Sequence, residues 1–239
     1  MTGTLINIAT VLVGGLLGLL FGSRLPERIR QTVIAGLGLF TAVIGIQMFL
    51  KTENSIIVLG ALLVGGVLGE LLKIEDGLRA LGGFLEKRFM PSTGTSPEGL
   101  PIPNRFIRGF LTASLVFCVG PMTILGSVQD GLTGDYSLLA IKAVLDGFAA
   151  LAFASSLGLG VLFSTLVILV YQGGLSLLAA QVQSLVTPAM MNEMTAVGGI
   201  LLVGIAVSNL LELKPIRVGN FLPALVLAPA IVALLALLK

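Results

Sequence analysis

The stretch Leu138–Gly158, LLAIKAVLDGFAALAFASSLG, has the composition of a helix that crosses a membrane. Apart from Lys142 and Asp146 it carries no charge, and its length matches the roughly 20 residues that a helix needs to cross a bilayer. Apolar runs of similar length recur along the whole chain. The sequence therefore predicts an all-α, polytopic membrane helix bundle.

The composition supports the same class. Of 239 residues, 56% are hydrophobic and 11% are charged, whereas an ordinary soluble domain has about 25% charged residues. The basic residues lie in loops beside the apolar runs, so the net charge of +2 gives no indication of nucleic-acid binding. The chain has no histidine and one cysteine, Cys118, which excludes imidazole chemistry and an internal disulfide. We expect the lipid bilayer as a partner, and no cofactor or metal.

Eight membrane spans are predicted, at about 3–22, 31–50, 55–72, 105–127, 136–156, 160–181, 195–213 and 216–238. The fifth and sixth are divided at SSLGLG, because the run Tyr136–Gln183 is too long for one helix. Arg and Lys cluster after spans one, three and seven. Because basic loops stay in the cytoplasm, an even number of spans predicts that both termini lie outside.

Residues 73–104 interrupt this series of spans. In the segment after span three, KIEDGLRALGGFLEKRFM, apolar residues recur at helical intervals between charges. This pattern predicts an amphipathic helix in the cytoplasmic interface. The Pro/Gly/Ser-rich segment PSTGTSPEGLPIPN that follows is predicted to be a linker.

The chain resembles itself at a separation of about 139 residues. GALLVGGVLGELLKI (Gly60–Ile74) aligns without gaps on GILLVGIAVSNLLEL (Gly199–Leu213), and Asn7 falls opposite Asp146. We therefore expect one membrane domain, 1–239, built from two tandem repeats of four spans, 1–72 plus 105–127 and 136–239. Because four is even, the two repeats should have the same orientation in the membrane.

Asp146 is the acid that the sequence places deepest in a span. A charge at mid-span costs about 2.5–3.5 kcal/mol on insertion scales, and Lys142 lies one helical turn away on the same face. One interpretation is a structural ion pair that fixes helix packing. The other is a switch, in which Asp146 exchanges Lys142 for a proton, a monovalent cation or a substrate.

Further polar or helix-breaking residues are candidates for the same site. Gln172 lies near the middle of span six, and Asn209 takes the place of Glu70 in the repeat alignment. Gly120, Pro121 and Pro229 are predicted to interrupt spans four and eight, since proline removes a helix hydrogen bond and frees a carbonyl. The alternative is that the prolines only kink these helices for packing. Asp130 is expected in a solvated outer turn, and Glu70 at the cytoplasmic interface.

Two blocks resemble a known family. These are GPMTILGSVQDG (Gly120–Gly131) and KAVLDGFA (Lys142–Ala149), and they are similar to the bacterial membrane proteins grouped as DUF554, a domain of unknown function. The resemblance covers essentially the full length. It implies a polytopic inner-membrane protein, and transport only as a label, without assigned residues.

These features favour a small secondary transporter, coupled to an ion or a proton, with a mid-membrane site around Asp146 for a small polar or ionic solute. The alternatives are an ion channel, or an assembly or regulatory protein that recruits a partner through the amphipathic helix; a homo-oligomer is compatible with all three. We do not expect an enzyme, because no serine–base or paired-aspartate constellation occurs. The ATP-binding loop GxxxxGK[ST] is also missing from the sequence.

Overall fold

The computed structural model describes residues 1–22, 26–89, 103–181 and 186–237, which form helices joined by short loops and contain no strand. The helices are α1 (Thr2–Gly22), α2 (Glu27–Phe49), α3 (Ser55–Leu71), α4 (Ile74–Phe89), α5 (Pro103–Val119), α6 (Pro121–Thr133), α7 (Ser137–Leu157), α8 (Gly160–Leu177), α9 (Pro188–Ile205) and α10 (Pro223–Leu237). A π-helical turn, Ala206–Leu210, extends α9, and a 3₁₀ turn, Val218–Phe221, precedes α10. The all-α prediction is confirmed.

Within the described ranges, six helical segments are long and apolar enough to cross a membrane. Two bent pairs raise the number to eight if each pair is one span: α3 with α4, bent by 54°, and α5 with α6, bent by 62°. The amphipathic segment is a helix, α4, as predicted. Most of the predicted linker, residues 90–102, lies outside the described residues.

Two of the predicted helix breaks are present. The fifth and sixth spans separate at Gly158, whose φ of +82° is a conformation that side-chain-bearing residues rarely adopt. The fourth span breaks at Gly120, between α5 and α6. Pro121 has no N–H to donate to the carbonyl of Phe117, and the Thr123 hydroxyl donates to that carbonyl instead, at 3.1 Å.

The prediction of a helix break at Pro229 is wrong. Pro229 lies inside α10, which runs without interruption from Pro223 to Leu237. A membrane helix can keep its course through a proline, because neighbouring groups and small backbone adjustments compensate for the lost hydrogen bond. The irregular part of the eighth span is instead its beginning, the 3₁₀ turn Val218–Phe221.

The residues divide into two compact units. The first comprises Met1–Ile34, Gly77–Cys118 and Met122–Ala179, and the second comprises Ala35–Asp76, Val119–Pro121 and Ala180–Lys239. Each unit therefore draws on both of the proposed sequence repeats.

In the first unit, α1 and α7 pack side by side through glycine. A Cβ atom on Gly14 would lie 2.0 Å from the carbonyl oxygen of Gly147, and a Cβ on Gly18 would lie 2.2 Å from that of Leu151. The residue numbers of the contacting pairs increase together on the two helices, so α1 and α7 run parallel. Small residues allow this close approach, which is a common basis of helix association in membranes.

The amphipathic helix α4 also packs within the first unit. Leu85 is buried with Phe106 and Phe110 of α5, and Phe163 of α8 packs against this cluster. The opposite side of α4 remains exposed, including Phe84. One apolar face of α4 is therefore used in helix packing. The predicted position in the membrane interface stays a prediction.

In the second unit, α3 packs on α10 and α2 packs on α9, again through glycines. A Cβ on Gly65 would lie 2.6 Å from the backbone nitrogen of Ala224, and one on Gly45 would lie 2.5 Å from the carbonyl oxygen of Gly199. The end of α3 is held by Glu70, which accepts hydrogen bonds from Arg217 and Asn220, both at 2.5 Å.

Candidate functional site

The predicted pair of Lys142 and Asp146 lies inside the first unit, on α7. The Lys142 ammonium donates to Oδ2 of Asp146 one turn along the helix. Lys142 is 5% exposed and Asp146 is 9% exposed. The two charges are therefore removed from solvent together, which is the arrangement that lowers the cost of burying either one.

Two side chains from other helices complete a buried network around this pair. Nδ2 of Asn7, on α1, donates to Oδ2 of Asp146 at 3.0 Å and to Oε1 of Gln172, on α8, at 2.9 Å. Nε2 of Gln172 donates in turn to the Thr4 hydroxyl at 3.2 Å. Thr4, Asn7 and Gln172 are fully buried. The result is one connected set of polar groups inside an apolar bundle.

The helix geometry explains why these side chains meet. Thr4 and Asn7 are three residues apart and therefore share one face of α1. α1 contacts both α7 and α8, so this face reaches Asp146 on one side and Gln172 on the other. The glycine contacts between α1 and α7 bring the backbones close enough for the short Asn7 side chain to bridge them.

The structure brings together three of the predicted site residues, Lys142, Asp146 and Gln172. Gly120 and Pro121 lie at the α5–α6 break, Pro229 lies within α10, and Asn209 lies in the π-helical turn after α9. These four belong to the second unit, and their part in a site stays a prediction. π-Helical turns do occur frequently at functional sites.

Asn7 and Thr4 are the site residues that sequence reasoning did not select. Thr4 has no distinguishing signal, because hydroxyl side chains are common in membrane helices. Asn7 did have one, since the repeat alignment places it opposite Asp146. In the structure, Asn7 and Asp146 are joined by a hydrogen bond, although they lie 139 positions apart in the chain.

Burial does not single out Asp146 among the acids. Asp130 was expected in a solvated turn, and this expectation is wrong, because it lies in α6 and is 4% exposed. Its Oδ2 lies 2.9 Å from the Met1 amino group and accepts from the Gly3 N–H at 3.1 Å. A carboxylate is stabilised at that place by the unpaired N–H groups of a helix start.

Glu193 is a further buried acid, 2% exposed, on α9 in the second unit. Its carboxylate accepts from the Thr52 hydroxyl at 2.6 Å and from the N–H groups of Glu53 and Asn54 at 2.8 and 3.0 Å. All of these donors come from the loop between α2 and α3. Glu193 therefore holds this loop against α9, and its bonds indicate a structural role.

Among the described residues, no group of three or more Asp, Glu and Cys side chains is placed to hold a metal ion. The network instead contains one acid, one amine, two amides and a hydroxyl. These groups can bind or release a proton at Asp146, and they can donate hydrogen bonds to an anion from Lys142 and Asn7.

The fold and this network define a polytopic helical membrane protein with an ion pair buried among its spans. The sequence profile of the family described as "Protein of unknown function (DUF554)" matches residues 2–233. The chain belongs to this family.

Two relatives match over nearly their whole length. The chain is 36% identical over 226 residues to "Uncharacterized protein YqgA" of Escherichia coli (strain K12), covering 95% of this chain and 94% of the relative. It is 28% identical over 236 residues to "Uncharacterized membrane protein YdfK" of Bacillus subtilis (strain 168), covering 97% and 96%. The second name supports a membrane location. No solved structure matches the chain.

Proposed function

We propose that this protein is a small secondary transporter of the inner membrane, and that protonation of Asp146 couples its transport cycle. The observation that carries the proposal is the buried Lys142–Asp146 pair, bonded to Asn7 and through it to Gln172. Ionisable residues inside membrane spans commonly mark substrate and ion pathways.

The charge of the pair favours a proton as the coupling ion. A metal cation bound to Asp146 would lie beside the Lys142 ammonium, so that one carboxylate would face two cations. A proton forms an O–H bond on the carboxylate and adds no second ion there. Protonation leaves Lys142 with an uncompensated buried charge, which costs several kcal/mol. An anion that accepts hydrogen bonds from Lys142 removes this cost.

The proposed substrate is therefore a small anion that moves together with a proton. Nζ of Lys142 and Nδ2 of Asn7 both donate to Asp146 in the unloaded state, and they would turn to the anion once Asp146 is protonated. Gln172 is a positioning residue, because its Oε1 accepts from Asn7 and so directs the Asn7 amide toward Asp146. In the unloaded state the ion pair is closed and the site is neutral.

Transport is tested in proteoliposomes that contain a pH-sensitive dye. Outward gradients of chloride, lactate, pyruvate, aspartate and glutamate are imposed one at a time, and the internal pH is recorded. We expect at least one anion to move protons with saturable kinetics. Asp146→Asn should abolish this movement, and so should Lys142→Met.

Two exposed residues provide matched controls. Asp135→Asn and Lys51→Met make the same chemical changes outside the network and should leave proton movement unchanged. Proton movement that survives Asp146→Asn would contradict the role of this residue. If none of the five anions moves protons, the proposed substrate class is wrong. Flux that rises without saturation would indicate a channel.

A further inference from the structure

A series of buried polar side chains connects Asp146 with one end of the first unit. Its members come from α1, α6 and α8 and are almost inaccessible to solvent: Asn7, Thr4, Gln172, Ser176 and Asp130. Polar residues that face the interior of a membrane bundle commonly line a pathway for water or ions.

Three oxygens in this series have no hydrogen-bond partner among the described residues. They are Oδ1 of Asn7, Oγ of Ser176 and Oδ1 of Asp130. A buried polar group without a partner costs about 1–3 kcal/mol, and lipid cannot supply the missing bond. Such groups are satisfied by buried water, which bonds to two to four polar atoms at a time.

The series begins near solvent. Asp130 is bonded to the start of α1 through Gly3, and Met1 at the same end is 40% exposed. The next residue, Gly131, packs so closely on α8 that its Cβ would lie 2.1 Å from the carbonyl oxygen of Ser176. Ser176 lies one helical turn from Gln172, which leads through Asn7 to Asp146.

Beyond Asp146, α1 and α7 touch through their backbones, at Gly14 against Gly147 and at Gly18 against Leu151. The contacts leave no room for even a methyl group between these helices. The unpartnered oxygens of Ser176 and Asp130 lie on the side of Asp146 that is away from these contacts.

We infer that Asp146 exchanges protons with the solution through a water-lined path along Asp130, Ser176, Thr4 and Asn7. The inference rests on the proposed function and names its coupling ion and the side of access. A hydronium ion at Asp130 passes its proton along water molecules, and an O–H bond forms on Asp146 while water is left behind. Release follows the reverse order.

Two kinds of side chain lie beside the path: the amides that position it and the ionisable groups near Asp146. Both N–H groups of the Asn7 amide and one of the Gln172 amide already donate hydrogen bonds within the network. These amides position the path, and the water carries the proton. Among the ionisable groups near Asp146, Lys142 on α7 bonds to it directly, and Cys118 on α5 lies within electrostatic reach of both charges. Tyr171 on α8 lies within electrostatic reach of Cys118. The Asp130 end is extracytoplasmic in the proposed orientation.

Cysteine accessibility tests the path without reference to transport. In a Cys118→Ala background, Ser176→Cys and Thr4→Cys are compared with Ala150→Cys, which is fully buried on α7 one turn past Asp146. The probe is a membrane-impermeant methanethiosulfonate with a trimethylammonium group, added to either face of membrane vesicles. It reacts with hydrated thiolates and not with a thiol buried among apolar groups.

We expect Ser176→Cys and Thr4→Cys to react from the Asp130 face more than about tenfold faster than Ala150→Cys, which lacks a hydrated thiolate. Thr133→Cys, at an exposed position on that face, shows that the reagent is active, and a single gel-filtration peak shows that each variant is folded. Equal rates at all buried positions, no labelling, or labelling only from the opposite face would overturn the path.

The result of cysteine labelling can be distinguished from the result of the transport assay that tests the proposed function. If Asp146→Asn leaves transport unchanged while Ser176→Cys is labelled as expected, the path stands and the coupling role of Asp146 is wrong. If Ser176→Cys and Thr4→Cys remain unlabelled while Asp146→Asn abolishes coupling, the role stands and the path is wrong.

Discussion

Lys142 and Asp146 illustrate how a membrane interior tolerates two charges. Each would be costly alone, and the single-turn spacing on α7 allows them to neutralise each other. Asn7 adds a hydrogen bond to the carboxylate, and Gln172 fixes the direction of that bond. The local chemistry therefore depends on one helix for the charges and on two others for their orientation.

Stability measurements distinguish the loss of one charged partner from the loss of the whole Lys142–Asp146 ion pair. Lys142→Met should destabilise the protein by about 3–5 kcal/mol, because it leaves a buried carboxylate without its partner. The double variant Lys142→Met/Asp146→Leu should be close to the original stability, since no unpaired charge remains. Unfolding in detergent micelles measures both. A double variant as unstable as the single one would show that the pair does not account for the loss.

Only part of this site was predictable from sequence. The spacing of Lys142 and Asp146 is visible in the chain because both lie on one helix. The bond between Gln172 and Asn7 joins residues 165 positions apart. Such a contact depends on which helices pack together, and hydropathy does not determine that choice.

Glycine determines how closely the helices approach. On α1 it allows direct contact with the carbonyls of α7, and on α3 it allows contact with α10. The same spacing of small residues is present in the sequence, where it indicates close packing without naming the partner helix. The structure shows that the partner of α1 is a parallel helix from the second half of the chain.

A pair of alanine substitutions tests this packing. Gly14→Ala should destabilise the protein by about 1–3 kcal/mol, because its Cβ would overlap the Gly147 carbonyl and force the helices apart. Gly174→Ala on α8 meets nothing within 4 Å and should be neutral or stabilising by up to about 1 kcal/mol through helix propensity. Similar losses in both variants would contradict a specific α1–α7 contact.

At the exposed turn before α7, Asp135 forms a small hydrogen-bonded cap. Its carboxylate accepts hydrogen bonds from the Ser137 hydroxyl, the Ser137 backbone N–H and the Gln129 amide. These bonds, of which the one from the Ser137 hydroxyl has the largest effect, hold the pKa of Asp135 below its ordinary value. The folded state therefore gains stability from this carboxylate at pH values above the pKa that Asp135 has in the unfolded chain. That contribution is lost as the pH falls through the lowered folded pKa.

Across the whole chain, several features recur at the proposed repeat separation. Asn7 bonds to Asp146 and Asn192 bonds to Glu53, and both pairs are 139 residues apart. The helices α3 and α9, with its π-helical extension, are followed by the positive-φ residues Lys73 and Glu212, with φ of 52° and 53°. The repeat stays a prediction, which these local similarities support.

Orientation provides the direct test of the repeat. Reporter fusions after Glu75 and after Lys214 should both show a cytoplasmic position, and fusions after Asn54 and Thr187 should both show an extracytoplasmic one. Alkaline phosphatase is a suitable reporter, because its disulfides form only outside the cytoplasm. Opposite positions for Glu75 and Lys214 would show that the repeats are inverted.

The helical class, most of the span boundaries, the breaks at Gly120 and Gly158, and the pairing of Lys142 with Asp146 can all be predicted from the amino-acid sequence. These properties depend on hydropathy and on spacing along one helix, which are local. Three properties become visible only in the folded chain: Asn7, Thr4 and Gln172 join the pair, Asp130 and Glu193 are buried, and Pro229 leaves its helix continuous. Each of these depends on packing between distant segments, where the partner of a polar group is set by the neighbouring helix and not by the neighbouring residue.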